Sequence, residues 1–294
     1  MAGTALVLEG GGYRGIYTGG VLDVLMENGI RDFSSIWGTS AGALNGGNFK
    51  SGQKNRTLRV MLAFRDDPRM MSLRSFVTTG NITNTDFMYD EVQNRLDPFD
   101  SEAYNACPIP MYAVASDVVF GTPGYLKVES LPEDLDKIRA SASIPGVSQM
   151  VEVDGHLYLD GGMVDSVAFE AALGLGEHPA PDGYEPADKA LVVLTRDRGY
   201  IKPPGSQMFA VHSHRYDDYP YFLEVLKTRS ERYNAQRDRL WELEREGRCL
   251  VIAPEDPVTV KVNETRGEPL LTSYLSGRAQ AERRLEEIRA FIAS

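Results

Sequence analysis

The chain reads as an α/β protein: a three-layer α/β/α sandwich around a mainly parallel central sheet, followed by a mostly helical C-terminal extension. Three observations predict this. Apolar runs of strand length, Ala5 to Leu8, Ser35 to Trp37, Met111 to Ser116 and Leu191 to Leu194, alternate with segments of helical period. The first two of these runs lead straight into glycine-rich turns. Past Ile201, Pro203 and Pro204 the pattern changes to long amphipathic helix. The expected division is residues 1–200 for the α/β unit and 201–294 for a helix-rich extension packed on it.

In chain order, Ala5 to Leu8 is a buried strand, followed by a helix from about Gly19 to Glu27 that Gly29 stops. Ser35 to Trp37 is the second strand, and a helix opens at Ala41. From Asn55 to Pro110 the pattern is mixed, with loops at Pro68, Thr78 to Thr85 and Asp97 to Pro98 between short helices. This region is expected to cover a site. Met111 to Ser116 and Tyr125 to Val128 are strands, and Pro132 to Ser141 is a helix. Val151 to Leu159 reads as a hairpin turning at Asp154 and Gly155, because a D-G pair between apolar runs favours that turn. Gly174 to Asp188, rich in Gly, Pro and acid, is expected to be an exposed loop before the strand Leu191 to Leu194. Tyr221 to Glu246 is a long helix with Phe222, Leu226, Tyr233 and Leu240 on one side. The strand Cys249 to Ile252 follows, then a last helix from about Ser276 to Ile292 carrying Ala281, Leu285, Ile288 and Ile292. Both long helices are read as packing on the core, since their other faces mix charge signs where a membrane-surface helix would be basic.

Composition narrows the function classes. With 42 acidic against 31 basic residues, a formal charge of −11 argues against general attraction to nucleic acid or to anionic lipid surfaces. Lipid access is then expected through a local apolar patch or monomeric substrate, with at most transient membrane-surface contact. No apolar run approaches the ~18 residues of a membrane span. Met1 to Thr4 leads directly into the first strand, without a charged segment before a longer apolar region, so the expected location is cytoplasmic. Cys107 and Cys249, distant and outside any C-x-x-C, read as free thiols.

Three motifs carry chemistry. Gly38, Thr39, Ser40, Ala41, Gly42 has the spacing of a nucleophile elbow, in which flanking glycines permit a sharp strand-to-helix turn that exposes the serine hydroxyl. Glu9, Gly10, Gly11, Gly12, Tyr13, Arg14, Gly15 follows the first strand as a loop of bare amides. Asp160, Gly161, Gly162 closes the hairpin. A nucleophile, a proton acceptor and oxyanion donors are what acyl transfer needs. In this order the motifs resemble the patatin-like phospholipases, whose pattern is a G-G-G-x-R-G loop, a G-x-S-x-G elbow and a downstream D-G-G or D-G-A. Ala140, Ser141, Ala142, Ser143, Ile144, Pro145 is similar to that family's serine and proline block. The family usually has Asp where this chain has Glu9, a position that is not its catalytic acid. The resemblance covers about the first two-thirds of the chain.

An ordinary Ser, acid, His order would draw its base from His178, His212 or His214, which lie in loop-like segments. The resemblance implies instead a Ser/Asp dyad, Ser40 and Asp160, in which the carboxylate accepts the serine proton directly. An unperturbed Asp, with a pKa near ~3.9, is a weak acceptor, so Asp160 is expected to be partly desolvated. The resemblance also implies Gly11, Gly12, Tyr13 and Ala41 as amide donors of an oxyanion hole. Arg14 is read as pinning the loop, with phosphate contact as the alternative. The expected activity is cleavage of carboxylic esters in phospholipids, lysophospholipids or related acyl lipids, without metal or cofactor. Three other readings stand beside it: a lipid-binding module without activity, a thioesterase or transacylase using the same dyad, and dinucleotide binding through Gly10, Gly12 and Gly15. The last lacks an acidic residue at the end of the second strand, where Trp37 gives way to Gly38.

Overall fold

A computed structural model describes residues 3–294. Its strands are β1 (Thr4–Leu8), β2 (Ser35–Thr39), β3 (Met111–Asp117), β4 (Pro123–Lys127), β5 (Val151–Val153), β6 (His156–Asp160), β7 (Lys189–Val193) and β8 (Cys249–Ile252). They form one sheet in the order β5-β6-β3-β2-β1-β7-β8, with β4 also paired to β3. The run β3-β2-β1-β7-β8 is parallel, with Leu6 level with Ile36 and Leu191. β4, β5 and β6 join antiparallel.

The helices are α1 (Gly15–Glu27), α2 (Ala41–Lys50), α3 (Arg56–Phe64), α4 (Leu73–Thr79), α5 (Ser101–Ala106), α6 (Leu135–Ser141), α7 (Phe169–Ala172), α8 (Met208–Val211), α9 (Pro220–Arg245), α10 (Gly267–Arg283) and α11 (Leu285–Ala293). A stretch of π-helix, Phe87–Leu96, precedes α5. Side chains alternate across a strand, so β1 feeds two cores. Leu6 and Leu8 face α1, α2, α10 and α11 through Val21, Phe49, Ala281 and Ile288. Ala5 and Val7 face α7 and α9 through Phe169, Leu240 and Leu243. The result is the expected three-layer α/β/α arrangement with a helical C-terminal part.

Three elements differ from the sequence expectation. α1 starts at Gly15, because a short 3₁₀ turn, Gly12–Arg14, carries the glycine loop directly into it. The last helix starts earlier, at Gly267, and divides at Arg284, whose side chain is held by the Val251 carbonyl and by Glu287. The stretch from Gly174 to Asp188 is mostly exposed, yet Tyr184 turns inward to lie edge-on to Trp37 at 5.0 Å and donates to the Ala172 carbonyl. The hairpin turns at Asp154 and Gly155, both at positive φ. No helix among the described residues is long and apolar enough to cross a membrane.

Candidate active site

Ser40 is the turn between β2 and α2, with φ 56° and ψ −121°. That is strained backbone for a residue with a side chain, and such strain persists only where the surroundings enforce it. A Cβ at Gly38 would lie 2.6 Å from the Ala43 backbone, and one at Gly42 would lie 2.2 Å from the Leu8 carbonyl oxygen. Both flanking positions therefore admit only glycine. The Ser40 amide donates to the Ser141 hydroxyl at 2.8 Å, so the last turn of α6 holds the elbow. This role of the serine and proline block is not readable from the motif alone.

Asp160 ends β6, and its amide donates to the Ser143 carbonyl at 2.8 Å. One carboxylate oxygen accepts from the Gly162 amide at 2.8 Å. Burial holds the Asp160 carboxyl above the usual carboxylate range, while the adjacent Ser40 hydroxyl, the Gly162 amide and the Arg229 charge oppose the shift. The turn after Asp160 is clamped from α9: Arg229 donates to the Gly162 carbonyl and Arg232 to that of Met163. Neither arginine belongs to a motif.

The glycine loop is braced from the C-terminal side. Glu9 accepts from the Thr195 amide and hydroxyl and from the Tyr233 hydroxyl, tying β1 to β7 and α9. Among the expected oxyanion donors, the Gly11, Gly12 and Ala41 amides have no protein acceptor among the described residues. Tyr13 departs from expectation, because its amide donates to the Val262 carbonyl at 3.3 Å. Arg14 departs too. Its amide closes the loop on the Gly11 carbonyl at 3.2 Å, but its side chain makes no hydrogen bond among the described residues, its Nε is buried without a partner, and it lines a cavity with Ser40.

Two cavities meet at Ser40 and share Gly12 and Ile144 as walls. One, about 90 Å³, is walled by Leu44, Met61, Met70, Met71 and Met88, so the region from Asn55 to Pro110 supplies the methionines of its wall. The other, about 340 Å³, has a mixed lining that holds most of the charged groups near Ser40: Glu9, Arg14, Asp160, Arg196, Lys202 and Arg229. Neither has a histidine in its walls. His156 pairs with Asp117 at 2.8 Å, His214 lies by Asp217, and His178 lines a separate cavity beside Asp165.

Comparison with known proteins identifies the family. The patatin-like phospholipase family model matches residues 6–173, more than half of the chain. A domain of unknown function, DUF6363, matches residues 219–293. The uncharacterized protein YjjU of Escherichia coli is 32% identical over 180 residues, 57% of this chain and 48% of that protein. An uncharacterized NTE family protein of Mycobacterium bovis is 32% identical over 171 residues, 58% of this chain and 46% of that one. Patatin-like phospholipase domain-containing protein 7 of Rattus norvegicus is 28% identical over 175 residues, 58% of this chain and 13% of its own length. The matched stretch thus spans about half the length of the two bacterial relatives. The crystal structure of VipD from Legionella pneumophila aligns with a TM-score of 0.48 and 12% identity, covering 98% of this chain and 67% of that one. With its elbow serine and glycine loop inside the matched region, the chain belongs to the patatin-like phospholipase family.

Proposed function

We propose that the protein is a serine acyl hydrolase that cleaves carboxylic ester bonds of phospholipids, lysophospholipids or related acyl lipids, with Ser40 as nucleophile and Asp160 as base. One observation carries this reading: a serine on a positive-φ turn beside a buried carboxylate, in cavities whose walls hold no histidine. Burial makes Asp160 a better proton acceptor than a solvated carboxylate. As Ser40 Oγ attacks the ester carbonyl, its proton passes to Asp160. The developing oxyanion is drawn to the Gly11, Gly12 and Ala41 amides, each such donor commonly contributing ~10²–10³ in rate. The tetrahedral intermediate then expels the alcohol, which takes the proton from Asp160. Water repeats the sequence on the acyl-enzyme: it gives a proton to Asp160, attacks the carbonyl, and Ser40 departs with that proton. The methionine wall offers an acyl chain an adaptable apolar surface. This chemistry needs no cofactor.

Turnover of p-nitrophenyl butyrate by wild type, Ser40→Ala, Asp160→Asn and the four single His→Ala variants tests the reading. Ser40→Ala and Asp160→Asn are expected to lose at least about 10³-fold in kcat, as removal of a nucleophile or its base does elsewhere. All histidine variants should keep turnover. An unchanged rate in Ser40→Ala, or equal loss in a histidine variant, refutes the dyad.

A further inference from the structure

We propose that the cationic cavity beside Ser40 is an anion subsite for the phosphomonoester headgroup of a single-chain acyl lipid, held by Arg14, Arg196, Lys202 and Arg229. This rests on the Ser40 reading above and names the substrate class for it. The four cations converge from separate parts of the chain: the glycine loop, the segment after β7, the stretch before α8, and α9. In a chain of net charge −11, such convergence is not background.

None of the four is in an ion pair among the described residues, whereas many surface arginines are. Two carboxylates, Glu9 and Asp160, share the cavity, and both are already hydrogen-bonded. Three arginines and a partly protonated Lys202 against two carboxylates leave positive charge without an answering group. Arg14 keeps a buried Nε without an acceptor among the described residues. Lys202 lies over the Tyr233 ring at 4.2 Å, and Arg196 over Tyr200 at 4.3 Å. Arg229 uses Nε on the Gly162 carbonyl, which leaves its two terminal nitrogens for a ligand.

Gathering these charges is unfavourable in the empty site. Burial, then the neighbouring Arg229, Arg14 and Arg196, push Lys202 down to about 7, with Glu9 opposing. Burial also lowers Arg14 and Arg229. A bound dianion removes that repulsion, and guanidinium groups match phosphate oxygens in bidentate geometry. The one-chain limit follows from the walls. Of the two cavities that meet at Ser40, the methionine-lined one is mainly apolar and the other holds all four cations, so a second chain would have to enter the cationic one and desolvate it.

The test compares 1-oleoyl lysophosphatidate with 1-oleoyl glycerol, both below their critical micelle concentrations, with glycerol 3-phosphate and inorganic phosphate as chainless competitors. Wild type should favour lysophosphatidate in kcat/KM by at least about tenfold, equivalent to 1.4 kcal/mol. Lys202→Gln and Arg196→Gln should shrink that ratio about fivefold or more through KM, whereas Lys202→Arg, which keeps the charge, should retain it. Calorimetric binding to Ser40→Ala reads the subsite without catalysis. Preferential binding there with no hydrolysis by wild type would sink the nucleophile reading and leave the subsite standing. Equal binding of the two lipids to folded Ser40→Ala overturns the subsite. Chainless phosphate that competes as tightly as lysophosphatidate overturns the lipid headgroup assignment.

Discussion

Arg229 stands on α9 and acts on a carboxylate at the end of β6. Its charge lowers the Asp160 pKa against the upward pull of burial. The sign of its removal follows. In the proposed mechanism Asp160 must be ionised to take the serine proton, so kcat/KM is expected to fall as pH drops through its free-enzyme pKa. Burial already holds that value above the usual carboxylate range, and Arg229→Gln removes an opposing charge. The acid limb of the pH-rate profile should therefore move to higher pH in Arg229→Gln, and less so in Arg229→Lys. A limb that stays in place would mean that Arg229 does not face the ionised base. The Ser40 turn is legible in the sequence because its flanking glycines answer to steric need, whereas Asp160 is singled out only by its resemblance to the family's D-G-G pattern. Arg229 and Lys202 are not legible. Each is an ordinary cation in a segment without a motif, and only the tertiary fold turns it toward Ser40.

Helix packing shows what an element conceals. α1 and α10 meet through glycines on both sides: a Cβ at Gly20 would lie 2.2 Å from the Tyr274 carbonyl oxygen, and one at Gly277 would lie 2.2 Å from that of Tyr17. The sequence marks neither contact, because a glycine within a helix reads as a weakness in propensity. Here both glycines allow the two backbones to approach. Gly277→Val should separate the helices and lower stability by about 1–3 kcal/mol or more, with overpacking added to backbone effects. Urea unfolding would check this, and an unchanged midpoint would show that α10 can shift without loss. The hairpin is the opposite case. Its D-G turn is a local signal, and Asp154 and Gly155 take the positive φ that such a turn requires. The break at Arg284 has no Pro or Gly to announce it, since a tertiary contact with the Val251 carbonyl fixes it.

At the scale of the whole molecule, the C-terminal part completes the site. Arg229, Arg232 and Tyr233 from α9 hold the Asp-Gly-Gly turn and Glu9, and the Val262 carbonyl takes the Tyr13 amide. α9 also shares a core with the central strands, where Leu240 and Leu243 are buried with Trp37 and Trp241 packs against the cluster. Because these elements share one contiguous core, the sheet and α9 are expected to unfold together. The chain has two tryptophans, Trp37 on β2 and Trp241 on α9, so each can report alone. In Trp241→Phe the fluorescence follows the sheet, and in Trp37→Phe it follows α9. After correction for each substitution by circular dichroism of the same variant, both probes should give one denaturant midpoint and one m-value. An earlier transition at Trp241 would mean that α9 detaches while the sheet persists, leaving Ser40 on folded backbone without the arginines that clamp the Asp160 turn. Coincident transitions would instead mean that loosening α9 and losing the sheet are one event, so the cations on α9 persist for as long as the elbow does.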